Sequence, residues 1–588
     1  MMSILEERRQ RAPHEHGGLG QPVKGDESAD VIVIGAGAAG MAAAAVAAAR
    51  GQRVILLEQA QKVGGTSAVS GGMVWIPANH KMAAHGLVDS LDEARRYLSH
   101  TVPADKHART LETFLTRGDE ALRFLEANTS VRLQPVLRYP DYYPDMPGST
   151  SGGRVLEPVP FNGCELGPAF ATLCWPLPEF MLFGGMMIAR PDIPHFRRVG
   201  RSLGSTWHVI RLLMRHARER LTHPRGTTLV LGNALAGRLF KSVLDLGVQV
   251  RTGTAVQSLR TQGGRVVGVE VTAEGATTTR LLRASRAVIL ATGGLSHAGE
   301  LRAKFVPALA GSLTATMGSQ EVPCGASLAT TVGASLSDSP TRQGLWTPAS
   351  TFTRDDGSRG VYPHTVADRA KPGLIAVNGQ GRRFVNEAVS YHEFVRAQLN
   401  DQAQAVPAWL ICDRVFLWRY GLGRVKPFAL RLHRHVASGY LREAATLDDL
   451  AQAMGLPSET FREAVRVFNE DARQGVDSQF HRGADIYQRH LGDVDQAPNP
   501  CVGPIEHAPF YAVQVRPSDI GMAAGIVTDE NARVLSTDGS PIAGLYACGN
   551  DMQSVMNGSY PGPGITLGPA LVFGYLAATH ACALAPVT

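Results

Sequence analysis

The sequence predicts an α/β fold, and three observations lead there. Residues 30–58, DVIVIGAGAAGMAAAAVAAARGQRVILLE, read as a strand, a glycine turn, an alanine-rich helix and a second strand ending in an acid. Two later stretches, SRAVILATGG (Ser285 to Gly294) and GLYACGN (Gly544 to Asn550), are apolar strands that also run into small residues. A chain of 588 residues exceeds what one core supports, so the long interval between those stretches reads as an insertion. The expected architecture is a Rossmann-like dinucleotide-binding domain with an inserted α+β cap. Residues 1–27 would be a disordered arm, 28–297 the first part of the binding domain, 298–509 the cap, and 510–588 the binding domain again.

Composition narrows the partners. Lys and Arg number 58 against 52 Asp and Glu, a balance that argues against a nucleic-acid partner. The seven cysteines, at 164, 174, 324, 412, 501, 548 and 582, have no metal spacing and an odd count, which fits packing residues in a reducing, cytoplasmic compartment. Isolated histidines lack ligand spacing as well, so no metal is expected. The first 25 residues hold no apolar stretch, and Arg8 and Arg9 do not open an export signal. Val31 to Ala49 is apolar, yet it is built of Gly and Ala around a phosphate-binding pattern, so no transmembrane helix is expected.

That pattern is the start of a cofactor site. Gly35, Gly37 and Gly40 supply the tight turn, the close backbone approach to a pyrophosphate and the close helix contact, while Ala38 and Ala39 open a helix whose free N–H groups face negative charge. Glu58, eighteen residues past Gly40, is placed to accept ribose hydroxyls. KVGGTSAVSGG follows, and its Gly65, Thr66, Ser67, Ser70, Gly71 and Gly72 lay further backbone along a long cofactor, which suits FAD better than NAD. Val256 from the hairpin-like VQSLRTQGGRVVGVEVT, then Ala291, Thr292, Gly293, Gly549, Asn550, Thr566 and Leu567, complete one discontinuous FAD site. No histidine attachment sequence stands beside Lys62 to Gly72, so the FAD is expected to be held without a covalent bond.

Three further segments carry a resemblance: YPDYYPD (Tyr139 to Asp145), GRRFVNEAVSYHEF (Gly381 to Phe394) and SYPGPG (Ser559 to Gly564), with PFYAV and the closing GPALVFGYLAA beside them. Together they resemble the 3-ketosteroid dehydrogenases, within the fumarate reductase/succinate dehydrogenase flavoprotein superfamily, over most of the chain beyond residue 28. In fumarate reductases an arginine acid stands where this chain has Tyr391. Their carboxylate-holding His-Thr-x-Gly-Gly is replaced here by IGMAAG (Ile520 to Gly525), which disfavours a dianionic substrate. The resemblance implies that Tyr142 and Tyr391 form a proton-abstraction pair, and that the Tyr560 hydroxyl and the Gly564 N–H hold a ketone. It departs at Gly521-Met522-Ala523-Ala524-Gly525, where the resembled enzymes carry Gly-Thr-x-Gly-Gly. Tyr139 and Tyr143 read as core aromatics.

The implied reaction is FAD-dependent desaturation of a 3-ketosteroid at the Δ1 position. The alternatives are the same chemistry at Δ4 of a saturated 3-ketosteroid, the same chemistry on a smaller cyclic ketone, and a catalytically silent flavin-binding electron carrier, for which a ketone-polarising loop has no use. The electron acceptor stays open, with a quinone among the candidates. A phenol of pKa ~10 is a poor base for an α proton, so two hydrogen bonds to the ketone oxygen are needed to stabilise the enolate. Pro561 and Pro563 stiffen the loop that would supply them, and Gly562 and Gly564 keep it free of bulk. A helix from about Thr566 would turn its positive end toward the flavin.

One stretch remains. From Arg190 to Arg225 nine arginines stand against Asp192 and Glu219, and Trp207, Ile210, Leu213, Met214, Ala217 and Leu221 share a helical face. This reads as a helix packed on the flavin domain with a solvated arginine face, the alternative being peripheral contact with the inner face of a membrane.

Overall fold

A computed structural model describes residues 27–104, 108–306, 314–318, 323–337, 343–365, 368–401 and 404–586. The arm expected over 1–27 lies outside the described residues apart from Glu27, which opens the first strand.

The first sheet is built around that strand. Glu27–Ile34 pairs in parallel with Val54–Leu57 on one side and Arg280–Leu290 on the other. Gln249–Arg251 extends one edge and Pro541–Ala547 the other, again in parallel, with Arg533–Leu535 antiparallel beyond it. These strands are near-continuous apolar runs because helices cover them. A hairpin, Thr254–Gln262 with Arg265–Ala273, attaches to Arg280–Leu290. The helix Ala38–Ala49 is buried at all twelve positions, which is why it lacks an amphipathic pattern. Its partner from the far end of the chain is Leu567–Ala583, and the two approach so closely that a Cβ on Gly574 would lie 2.8 Å from the Ala39 carbonyl oxygen.

The inserted domain has its own antiparallel sheet, in the order Arg359–Pro363, Gly344–Thr353, Phe510–Met522, Ala408–Asp413, Leu374–Val377. It also has its own apolar cluster around Leu374, Phe394, Leu410 and Phe416. This corrects one expectation. Phe510–Met522, placed by sequence at the start of the returning binding domain, is the central strand of the cap sheet, so the chain leaves the cap only after Met522. The apolar residues of this strand show that it is buried and say nothing of which sheet it joins.

A second excursion leaves the binding domain between Phe161–Asn162 and Thr228–Leu229, two short strands that pair and close its base. It carries the basic helix, Leu203–Arg220, and here too the structure differs from expectation. The buried stripe of that helix is Ser205, Val209, Leu212 and His216, on the side opposite Trp207, Ile210 and Met214, which are exposed. Among the described residues no helix is long and apolar enough to cross a membrane.

Candidate active site

A cavity of about 2720 Å³ runs between the two domains, well beyond the ~300–1,000 Å³ of a pocket for one small ligand. Its binding-domain wall is mostly backbone. Gly35 holds a φ of +103°, and a Cβ there would collide with the Ala291 carbonyl. Gly37, Gly65, Gly71 and Gly293 have the opposite property: their missing Cβ atoms would meet nothing within 3.9 Å or so and would project into space that a ligand can fill. Glu58 closes one end, accepting N–H bonds from Ala36 at 2.9 Å and Ala60 at 3.0 Å, while burial raises its carboxyl against those donors. The long helix Leu567–Ala583 presents its first turn to the same cavity through Thr566, Leu567 and Ala570. A glycine-walled channel with an acid at one end and two helix N-termini along it fits FAD in shape and charge.

Of the residues expected on the cofactor wall, all but one line the cavity: Gly35, Gly37, Ala38, Ala39, Glu58, Gly65, Thr66, Ser67, Ser70, Gly71, Gly72, Val256, Ala291, Thr292, Gly293, Gly549, Asn550, Thr566 and Leu567. Gly40 is the exception. It faces Gly35, whose carbonyl a Cβ would strike, so it acts in helix packing alone. Asp551 escaped the sequence reading although it follows Asn550 directly. Fully buried, it accepts from the Thr292 hydroxyl at 2.8 Å and the Gly294 N–H at 2.9 Å, and so pins the glycine turn after one strand to the turn after the next.

The four residues expected to act on substrate meet on the cavity wall. Tyr142 donates to Tyr391 at 3.1 Å. The Tyr142 and Tyr560 rings stack with centroids 5.7 Å apart, and Tyr391 stands edge-on to Tyr560 at 5.1 Å. Tyr391 is the first residue of the cap helix Tyr391–Asn400, whose Ser390 cap accepts from the Glu393 N–H. Gly564 has a φ of +97° and packs on the strand Val74–Trp75, where a Cβ would lie 2.5 Å from the Met73 carbonyl oxygen. Its own N–H has no partner among the described residues.

Burial sets the acidity of the cluster. It pushes Tyr560 up to about 12, so this hydroxyl remains a donor at any working pH. It also pushes Tyr391 well above the usual phenol value, Tyr560 adding to the rise and the hydrogen bond from Tyr142 opposing it. A fourth tyrosine, Tyr487, lies against Tyr142 at 4.8 Å, is buried, and has a hydroxyl without a partner among the described residues. No motif marks it in the sequence. Tyr139, expected as core, is buried in the main apolar cluster and also touches the cavity beside His490, with ring centroids 4.6 Å apart.

The loops are held from behind. The Pro561 carbonyl accepts from the Tyr142 N–H at 2.9 Å and from the Tyr97 hydroxyl at 2.6 Å, which ties SYPGPG to the Tyr142 segment. Beneath them Arg154, fully buried, pairs with Asp89 at 2.7 Å and Asp141 at 2.9 Å, and Asp141 also accepts from the Trp75 indole. On the cap side Arg383 bridges Glu387 and Asp477 under GRRFVNEAVSY. The departing segment GMAAG stands off the wall. Of Ile520 to Gly525 only Ile520 lines the cavity, and Gly521 packs behind Asn550.

Comparison with known proteins agrees with this geometry. The family model described as FAD binding domain matches residues 30–567. The 3-oxosteroid 1-dehydrogenase of Mycolicibacterium smegmatis is 37% identical over 571 residues, covering 95% of this chain and 97% of its own. The 4-oxocyclohex-2-ene-1-carboxylate 5-dehydrogenase of Sinomonas cyclohexanicum is 36% identical, over 95% of this chain and 94% of its own. A crystal structure of 3-ketosteroid delta1-dehydrogenase from Sterolibacterium denitrificans, in complex with 1,4-androstadiene-3,17-dione, matches with a TM-score of 0.86 at 35% identity, over 95% of this chain and 100% of that one. With a backbone-walled flavin channel opening onto a cluster of tyrosines, this chain is an FAD-dependent oxidoreductase and belongs to the family of the 3-oxosteroid 1-dehydrogenases.

Proposed function

We propose that the chain desaturates a 3-ketosteroid at the Δ1 position. The observation that carries this reading is the convergence of three tyrosine hydroxyls and one unpartnered backbone N–H on a single stretch of the cavity wall. The 3-ketone oxygen accepts from the Tyr560 hydroxyl and the Gly564 N–H, which together stabilise the enolate that forms as the α proton leaves. Tyr391, as phenolate, takes that proton from C2, and Tyr142 stabilises the phenolate through its hydrogen bond and passes the proton on. FAD, held non-covalently along the glycine wall, supplies the acceptor for the hydride that leaves C1. Loss of one proton and one hydride leaves the new carbon–carbon double bond conjugated with the ketone.

A phenolate base has a clear signature. Because burial raises Tyr391, the ionised fraction at neutral pH is small, so substrate-driven bleaching of the flavin should quicken about tenfold per pH unit until Tyr391 is ionised. Tyr391→Phe should still bind steroid but hardly bleach, with no pH slope. A 3-hydroxy steroid should not bleach the flavin at all, and equal rates for hydroxyl and ketone would overturn the mechanism. Acid precipitation should leave the flavin in the supernatant.

A second reading, desaturation of a smaller cyclic ketone, is favoured by the similarity to the Sinomonas dehydrogenase. Tyr560 and Gly564 would serve such a ketone equally well. Steroids and 4-oxocyclohexane carboxylates assayed side by side, with product analysis, separate the two.

A further inference from the structure

We propose that the cavity has a second recognition point, Lys371, which binds a carboxylate carried by the substrate at the end remote from its ketone. The proposal deepens the steroid reading and rests on it, since the ketone donors fix the other end of the substrate. Lys371 lines the cavity from the cap, three residues ahead of the strand Leu374–Val377. It is only 7% exposed, so its ammonium is removed from water, and burying a cation is costly unless an opposite charge answers it.

An ammonium has three N–H donors. Lys371 uses two of them on the carbonyls of Leu491 and Gly492, the latter at 2.7 Å, at the C-terminal end of the helix Ile486–Leu491. The third has no acceptor among the described residues, and none of their carboxylates lies within ion-pairing distance of Lys371. The nearby acids are engaged elsewhere. Asp493 accepts from the Tyr420 hydroxyl at 2.6 Å and pairs with Arg419 at 2.7 Å, while Asp368 pairs with His364 at 2.6 Å. Burial pushes Lys371 down to about 7, Arg197 adding to the fall and Asp493, Cys501 and Asp368 opposing it. His490, on the same stretch of wall, is pushed down to about 4 by burial, Arg190 and Lys371. It is therefore a neutral ring with one N–H to donate and no charge to set against the lysine. A lysine and a neutral histidine on a cavity wall, with no anion of the protein's own between them, match a carboxylate arriving with a ligand.

The spacing suits a long substrate. The helix Ile486–Leu491 joins the two recognition points: the Tyr487 ring lies 4.8 Å from that of Tyr142, and the Leu491 carbonyl accepts from Lys371. Four residues of helix rise about 6 Å, and the tyrosine ring at one end adds to that, which puts the ammonium on the order of 10 Å from the ketone donors. Tyr139 and His490, their rings 4.6 Å apart, line the cavity between. A fused four-ring nucleus spans that interval, and a single cyclohexanone ring does not.

The test uses the flavin-loaded full chain and a 1,4-dien-3-one steroid with a flexible carboxylic acid side chain at C17, beside its methyl ester. Both already hold the double bond, so they bind without turnover and are titrated by the shift of the flavin absorbance band. At mildly acidic pH the acid should bind about 10- to 100-fold tighter than the ester. Its affinity should then fall about tenfold per pH unit above the lysine's value of about 7, because binding takes up a proton there, and the ester should show no such slope. Lys371→Met keeps the length of the stem and removes the charge, so acid and ester should bind it equally, with the ester as tight as in the parent. The parent's own acid-to-ester ratio and pH slope decide the matter if that variant does not fold. Equal binding of acid and ester to the parent overturns the proposal and leaves the steroid reading standing, whereas failure of both ligands to bind overturns the two together. A Lys371→Met protein that loses acid and ester alike also overturns it, and would make Lys371 a brace for the helix end alone.

Discussion

The cofactor channel and the tyrosine cluster proposed to hold the ketone share one cavity, but they are made of different material. The channel is backbone: glycines whose absent Cβ atoms leave room, and helix ends whose N–H groups point inward. The proposed ketone site is mostly side chain: three phenols from positions 142, 391 and 560, set by a buried arginine, a tyrosine behind the loop and a helix cap, with the Gly564 N–H as its one backbone donor. A backbone-built site fails when anything is added to it, whereas a side-chain-built site fails when something is taken away. Addition disrupts the fold locally, while removal leaves the fold and slows the chemistry.

The largest effect should therefore come from the smallest addition. Gly35→Ala places a methyl group against the Ala291 carbonyl at a backbone angle that alanine rarely adopts, so the purified protein should hold no flavin. A yellow Gly35→Ala protein with normal flavin content would show that the channel tolerates side chains and would blur the distinction. Next comes Tyr560→Phe, which keeps the ring and removes one donor. Flavin bleaching by a 3-ketosteroid should slow about 100- to 1,000-fold with little change in steroid affinity, measured by stopped flow. An unchanged rate would show that the loop plays no part in holding the enolate. The smallest effect belongs to a residue one step behind. Tyr97→Phe removes the hydroxyl that binds the Pro561 carbonyl and accepts from the Tyr143 N–H, and should cost about 1–3 kcal/mol of stability in a denaturant melt while leaving flavin content intact.

The same difference in material decides what could be read from sequence. Glycines at 35, 37 and 65 are legible because the conformation and closeness they allow belong to the residue itself. Tyr560 is legible because Pro561, Gly562, Pro563 and Gly564 follow it and leave it as the one aromatic on a stiff loop. Tyr97 is not, since its role rests on a contact with Pro561, 464 residues away. Tyr487 and Asp551 likewise act only through neighbours that the fold brings to them. Hydrophobic period was partly informative for the basic helix: it found the apolar stripe at Trp207 and Met214 but could not tell whether protein or solvent lay against it.

The packing of Leu567–Ala583 onto Ala38–Ala49 has a consequence for how the protein is made. The glycine turn at 35–40 and the helix that begins at Leu567 both line one channel, yet they are translated more than 500 residues apart. At roughly 5–20 residues per second, the ribosome needs about half a minute to two minutes to travel from one to the other. Through that interval the first-made helix lacks its partner from the end of the chain, and the sheet lacks the strand Pro541–Ala547 as well. The complete channel therefore exists only in the finished polypeptide, and a nascent chain stalled inside the cap would carry the dinucleotide motif without the wall that Thr566, Leu567 and Ala570 supply.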